Sequence, residues 1–204
     1  MNNRILTTLL LTVFPSVSLA ACPEAGDLQN GIRIDFEDGT IIEYSEKQPG
    51  IIEEVEISPE DGALYYIVTE RGILEIENYG RASASDEIRD YVRYEYDFDT
   101  SLVFPLLPGK NGNGKLTEYD ENDEKVEEAH ILYGVGTLEE FRIGSCLYEA
   151  YPVQVNMKYA GSDPLVIQLA HLNDLGIAVV KGYYELGYDP VLYAPIGIEL
   201  SNAK

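Results

Sequence analysis

Two cysteines, Cys22 and Cys146, are the side chains of this sequence with the most clearly defined chemistry. Two thiols with no third to compete predict a disulfide bond, provided that the chain reaches an oxidising compartment. Closing a loop as long as the one between them stabilises a protein by about 4–5 kcal/mol when the lost entropy of the unfolded chain is counted. The bond would also tether the N-terminal segment, which otherwise frays.

A competing interpretation assigns Cys22 to lipidation. The segment Leu19-Ala20-Ala21-Cys22 resembles the lipobox of bacterial lipoproteins, in which the cysteine is acylated. Pro23 and the short spacer before strand-like sequence at Gly31 favour the disulfide instead. Acylation of Cys22 would also leave Cys146 as a lone thiol in an exported protein. The disulfide is therefore favoured, and possible lipidation at Cys22 stays open as the alternative.

A weak calcium candidate lies in the middle of the chain. Asn111, Asn113 and Asp120 fall at ligand positions of a calcium-loop pattern. Gly109 occupies the first ligand position, where an acid is expected, and the last ligand is Asp120 rather than glutamate. The flanking sequence is also strand-like rather than helical. We therefore expect a solvated turn here, with no metal, and the sequence predicts no cofactor.

The histidines and acids define no catalytic site. His130 and His171 stand apart, whereas a metal site needs several converging ligands. We expect His130 on a solvated face and His171 as a hydrogen-bonded residue of a strand. No Ser-His-Asp order, nucleophile elbow or phosphate loop is present, and the 36 acids offer too many pairs for a glycosidase-type pair to be selected. The catalytic residues, if there are any, stay unknown.

The first 20 residues have the order of a secretory signal peptide. Arg4 gives a positive start, an apolar stretch runs from Ile5 to Val17, and the small residues Ser18 to Ala21 follow. Residues 1–20 are therefore predicted to be removed on export, leaving a periplasmic or secreted protein, or a membrane-anchored lipoprotein if Cys22 is acylated. No later segment is long and apolar enough to predict a transmembrane span.

Charge and composition restrict the partners. The chain carries a formal charge of -22, and without residues 1–20 the remaining 13 basic and 36 acidic residues give -23. Such a surface repels nucleic acid and anionic lipid. With 45% hydrophobic residues, the chain has enough apolar side chains for a core, and residues 21–204 have the length of a single acidic domain. An unknown protein or lipid partner is compatible with these properties.

Alternation of apolar and polar residues dominates the mature sequence. Ile32, Ile34 and Phe36 alternate with polar residues, and Asp38-Gly39 then marks a hairpin turn. The same pattern recurs along the chain, and its 16 tyrosines also favour strands. We predict an all-β fold, mainly an antiparallel meander that forms a barrel-like or curved sheet, with one or two short helices.

Three segments are harder to assign. Residues 84–90 resemble a short helix with Ser85 as its N-cap. Asn111-Gly112-Asn113-Gly114 has the composition of a turn-rich loop. Residues 120–129 predict either an exposed helix or a polar hairpin.

Four motifs resemble those of uncharacterised exported β-rich proteins of Gram-negative bacteria. They are Cys22-Pro23, Ile143-Gly144-Ser145-Cys146-Leu147-Tyr148, Leu175-Gly176-Ile177-Ala178, and Phe104 to Lys110, where the spacing differs by one residue. The resemblance extends over most of the mature chain. It implies an antiparallel β domain in the cell envelope and no particular activity.

The sequence therefore favours an exported envelope protein that acts as a non-enzymatic binding or structural β domain. A carboxylate-dependent hydrolase and a calcium-dependent structural module are the alternatives. An apolar cavity would favour binding, whereas two convergent acids with perturbed pKa values would favour hydrolysis.

Overall fold

A computed structural model describes residues 21–185 and 187–201. The predicted signal segment, residues 1–20, lies outside the described residues. Within them the chain forms strands, together with two short 3₁₀ helices at Asp27–Asn30 and Thr100–Val103. The strands are β1 (Ile32–Phe36), β2 (Ile41–Gln48), β3 (Ile51–Ile57), β4 (Leu64–Glu70), β5 (Leu74–Arg81), β6 (Arg89–Tyr96), β7 (Asn111–Tyr119), β8 (Lys125–Val135), β9 (Glu139–Ile143), β10 (Cys146–Tyr159), β11 (Leu165–Leu172), β12 (Ile177–Glu185), β13 (Val191–Leu192) and β14 (Pro195–Leu200).

All of these strands belong to one antiparallel meander, which confirms the predicted fold class. The order is β13-β12-β11-β10-β8-β7-β6-β5-β4-β3-β2-β1-β14, with β9 paired to β10 outside this path. The sheet is not closed. However, β13 and β14 stand at opposite ends of the order while only Tyr193 and Ala194 separate them in sequence. The sheet must therefore curve until its two ends lie close together.

Local sequence explains the tight turns of the meander. At the β1–β2 hairpin, Gly39 adopts a φ of 91°, which favours glycine, and the Asp38 carboxylate accepts a 2.9 Å hydrogen bond from the Thr40 amide. Ile32, Ile34 and Phe36 of β1 are buried and alternate with half-buried neighbours. The predicted hairpin at Asp38-Gly39 is confirmed.

The curvature brings the two halves of the sheet face to face. The Tyr44 hydroxyl on β2 donates a 3.3 Å hydrogen bond to the carbonyl of Ala178 on β12. The β4–β5 turn also packs against β12, so closely that a Cβ at Gly72 would lie 2.5 Å from the Ala178 amide nitrogen. Glycine is required at position 72 both for this approach and for a φ of +73°.

Replacement of Gly72 by alanine should therefore lower the free energy of unfolding by more than the strain of its positive φ angle alone would. Gly62 has nearly the same angle, φ +72°, but open space around it. We expect Gly62→Ala to cost about 1–2 kcal/mol for the left-handed backbone, and Gly72→Ala to cost about 1–3 kcal/mol more because of the clash. Urea denaturation of both variants measures the difference. Equal losses would contradict the close packing of this turn against β12.

A disulfide bond joins Cys22 to Cys146, the first residue of β10, with 5.6 Å between their Cα atoms. The Tyr148 hydroxyl on the same strand donates a 3.3 Å hydrogen bond to the Pro23 carbonyl. Leu28 of the first 3₁₀ helix is buried in the core. The segment that precedes β1 is thus held covalently and by packing against β10.

Two local predictions are wrong, and one alternative is settled. Residues 84–90 form turns and the beginning of β6 rather than a helix. The glycine-rich segment 111–114 is not a loop but the beginning of β7, where the Tyr133 and Phe98 rings cover Gly112 and Gly114. Residues 120–129 form a hairpin, in which the Asp120 carboxylate accepts hydrogen bonds from the Asn122 and Glu124 amides.

The part of the chain that the structure describes contains no helix that is long and apolar enough to cross a membrane.

Candidate functional site

A cavity of about 390 Å³ lies between the facing halves of the sheet. This volume falls within the range of small-molecule sites, about 300–1,000 Å³. The cavity is lined by alternate residues of the strands, which point inward because side chains alternate across a sheet. Its walls are largely apolar and include Ile67, Leu116, Ile131, Val155, Met157, Leu165, Ile167, Leu169 and Val180.

One end of the cavity is closed and the other is accessible. At the closed end, Gly72 and Ile73 pack against the beginning of β12. At the other end lie Tyr159, the last residue of β10, and Tyr183, which is 39% exposed. Glu185, the last residue of β12, is also exposed there. A ligand would therefore enter where β10 and β12 end.

The cavity contains buried carboxyl groups. Glu54 on β3 is only 6% exposed, and its carboxylate accepts a weak 3.4 Å hydrogen bond from the Thr69 hydroxyl. Burial, and next the charge of Glu75, raise the pKa of Glu54 well above its ordinary value, whereas the Thr69 hydrogen bond lowers it. Burial also raises the pKa of Glu75, although hydrogen bonds from Asn78 and Tyr94 oppose this. The pKa of Glu56 is raised by burial and then by Asp38.

Tyrosines complete the polar part of the cavity. The Tyr96 hydroxyl donates a 3.0 Å hydrogen bond to the Glu75 carbonyl, and the Tyr159 hydroxyl donates to Glu118. The Tyr94 oxygen accepts a 2.7 Å hydrogen bond from the Asn78 amide. Burial raises the pKa of all three phenols, so they are neutral at physiological pH.

The structure does not bring the calcium candidates together. Asn111 and Asn113 lie along the extended strand β7, which ends directly before Asp120. An extended strand of this length places Asn111 about 30 Å from Asp120. In addition, residues 21–185 and 187–201 contain no group of three or more histidine, cysteine or acidic side chains that could hold a metal ion.

The two histidines occupy different environments. His130 on β8 is exposed, as expected. His171 on β11 is buried, but among the described residues neither of its ring nitrogens has a hydrogen-bond partner, so the expectation of a hydrogen-bonded side chain is wrong. Burial lowers the pKa of His171 to about 4, and the imidazole is therefore neutral at pH 7.

Sequence reasoning missed Glu54 and Glu75, because the chain has 36 acids and nothing local distinguishes these two. One signal was present in β3. Glu54 and Glu56 are in phase with the buried Ile52, so strict alternation along that strand places both carboxyl groups on the inner face.

Comparison with known proteins gives no match. No family model fits the chain, and the searches of curated proteins and of solved structures find nothing significantly similar.

Proposed function

We propose that this protein binds a small apolar molecule in the cavity between the two halves of its sheet, and that it acts without catalysis. The cavity itself carries the proposal: about 390 Å³ of space with mostly apolar walls and inward carboxyl and hydroxyl groups. Ligand sites typically have this composition, in which apolar walls supply affinity and a few polar groups fix orientation. A core without a binding role would close such a space, because empty volume costs stability.

A periplasmic or secreted location belongs to the same proposal. Its support is the signal-like segment at residues 1–20 together with the Cys22–Cys146 bond, since disulfides persist in oxidising compartments. Intact mass spectrometry of protein from the envelope tests both points. We expect a chain that begins near Ala21 and whose cysteines react with an alkylating agent only after reduction. An acyl adduct on Cys22 would instead establish the lipoprotein alternative.

Hydrolysis is the weaker candidate, although the cavity does contain perturbed carboxyl groups. An acid–base pair needs one protonated and one ionised carboxyl group, so the two pKa values must be pushed apart. Here burial raises the pKa values of Glu54, Glu56 and Glu75 in the same direction, so nothing marks one of them as the ionised base. The largely apolar walls also favour binding over glycoside hydrolysis.

A fluorescent probe tests the proposed function. N-phenyl-1-naphthylamine is neutral at pH 7 and fluoresces strongly in apolar surroundings, and we expect it to bind at one site per chain. Met157→Trp should weaken binding and reduce the signal, because it places a bulky indole ring in the cavity that Met157 lines. Leu132→Trp is the matched control, because Leu132 lies on the neighbouring strand and is 53% exposed.

Two results would contradict binding in the cavity. One is no saturable fluorescence with the unaltered protein. The other is equal binding by the Met157→Trp and Leu132→Trp variants, since binding would then occur on the outer surface. Circular dichroism and urea denaturation of both variants establish that each is folded before the comparison is made.

A further inference from the structure

We infer that the ligand is an organic cation, that is, an amine or quaternary ammonium group on an apolar body. This inference rests on the proposed function and names the class of molecule that the cavity takes. The charges of the residues that line the cavity support it.

The described lining of the cavity contains acids but no bases. Four glutamates contribute to it, and no lysine, arginine or histidine does. Among the ion pairs of the described residues, none includes any of these glutamates, namely Glu54, Glu56, Glu75 and Glu185. Some carboxylates elsewhere in the sheet do have partners, for example Glu53 with Lys47 and Glu128 with Lys115. Most acids of the described chain form no ion pair, but Glu54 is the only one among them that is buried, so it lacks both a basic partner and water.

The two deepest acids act on each other. The charge of Glu75 contributes to the raised pKa of Glu54, so ionising either carboxyl group makes ionising the other harder. Buried charges in proteins are normally paired, because removing a lone charge from water is costly. A cationic group placed between these side chains would supply the missing partner and favour their ionised forms.

The tyrosines also favour a cation. The hydroxyl hydrogens of Tyr96 and Tyr159 are donated to protein acceptors, so their oxygens offer lone pairs to the cavity rather than hydrogens. The aromatic rings can in addition attract a cation through their faces. Fatty acids and other anions would find no lysine, arginine or histidine in the described lining to pair with their charge, so the same lining disfavours them.

Charge at the entrance supports this selection. Glu56 and Glu185 belong to the more exposed part of the lining, and the mature chain has a net charge of -23 when residues 1–20 are removed. An acidic surface around a cleft raises the local concentration of cations and accelerates their association. The approach to the cavity and its interior therefore favour the same class of ligand.

Three probes with one alkyl chain and different head groups test the inference. Decylamine, decanol and decanoate are each tested as competitors of the neutral naphthylamine probe, and the dissociation constants of those that displace it are compared at pH 7. We expect decylamine to bind at least about 10-fold more tightly than decanol, the effect of a charge-assisted hydrogen bond. Decanoate should not bind measurably.

Variants assign the selectivity to the cavity. Glu54→Gln should weaken decylamine binding by about 10-fold and leave decanol unchanged, because only the charged partner is lost. Glu75→Gln should act in the same direction and provides a second, independent variant. Glu121→Gln is the control. It removes the same charge from an exposed turn, and Glu121 does not line the cavity.

The outcomes separate the inference from the function on which it rests. Equal affinities for decylamine and decanol would overturn the cation inference and leave cavity binding intact. An equal loss of decylamine affinity in Glu121→Gln and Glu54→Gln would also overturn it, because the attraction would then come from the whole surface. Failure of the naphthylamine probe and all three alkyl compounds to bind would instead overturn the proposed function.

Discussion

Breaking the Cys22–Cys146 bond should lower the free energy of unfolding by about 2–5 kcal/mol, the usual cost of losing a native disulfide. The bond joins positions 124 residues apart in sequence, so its loss releases a long loop in the unfolded chain. It also frees the segment before β1 from β10. Cys22→Ala is the best variant, because Cys22 is exposed whereas Cys146 is buried in the core.

Urea denaturation of Cys22→Ala, and of the unaltered protein with and without reductant, measures this loss. We expect the variant and the reduced protein to unfold at the same, lower urea concentration, since both lack only the bond. A variant as stable as the oxidised protein would show that the N-terminal segment is held by packing alone. If Cys22→Ala, the untreated protein and the protein with reductant all unfold at the same urea concentration, the cysteines do not pair.

The second large effect concerns pH. The pKa of Glu54 is raised in the folded state, so folding favours its protonated form. Its contribution to stability is therefore fully present below the unfolded value near 4.5 and is lost as pH rises through the folded pKa. Glu54→Gln stays neutral at every pH and should stabilise the unliganded protein at pH 7 by about 1–3 kcal/mol, because it removes a carboxyl group whose ionised form is costly to bury.

Other groups with shifted pKa values also make stability depend on pH. Glu56 and Glu75 face the same cavity with raised pKa values and act in the same direction. His171, with its pKa lowered to about 4, acts in the opposite direction, because its contribution is present above pH 6.5 and lost as pH falls towards 4. The informative quantity is therefore the difference in melting temperature between Glu54→Gln and the unaltered protein from pH 5 to 8.

We expect that difference to grow as pH rises, with Glu54→Gln the more stable at pH 7 and 8. Glu121→Gln, which removes an exposed acid, should follow the unaltered protein across the whole range. A Glu54→Gln variant that is less stable than the unaltered protein at pH 8 would mean that the carboxylate has a stabilising partner in the folded chain.

Much of the fold could be predicted because the meander is encoded locally. The alternating residues of β1 and the Asp38-Gly39 turn lie within a few residues of one another. A single apolar face is enough to determine which side of each strand packs against the core. Where distant residues decide, prediction failed. The glycines of segment 111–114 suggested a loop, but the Tyr133 and Phe98 rings cover that segment and hold it in β7.

The predicted helix at residues 84–90 failed for a related reason. Ser85 suits a helix N-cap, but the residues behind it have no apolar face to bury, and Arg89 begins a strand that pairs with β5 and β7. Sheet pairing across the chain therefore outweighs a weak local preference. The short helices form elsewhere, for example where Asp99 caps Thr100–Val103 by accepting a 3.0 Å hydrogen bond from the Ser101 amide.

The candidate site could be predicted only in part. Alternation in β3 places Glu54 on the inner face together with Ile52, which is information that one strand contains. The position of Glu75 depends on a bulge, where pairing shifts from Val68–Glu77 to Thr69–Glu75. Such a shift moves the side chains beyond the bulge to the opposite face of the sheet. The alternation of apolar and polar residues in the sequence does not reveal it. The cavity itself depends on curvature of the whole sheet.

One methyl group reports directly on ligand binding in the cavity. The chain contains only two methionines, Met1 and Met157, so the chain without residues 1–20 has Met157 as its single methionine, and this side chain lines the cavity. Protein labelled with ¹³C in the methionine methyl group should give one signal, which Met157→Leu removes and thereby assigns. We predict that decylamine shifts this signal to saturation at one equivalent per chain. A signal that stays in place at saturating decylamine, while the probe also fails to bind, would contradict a ligand-binding cavity.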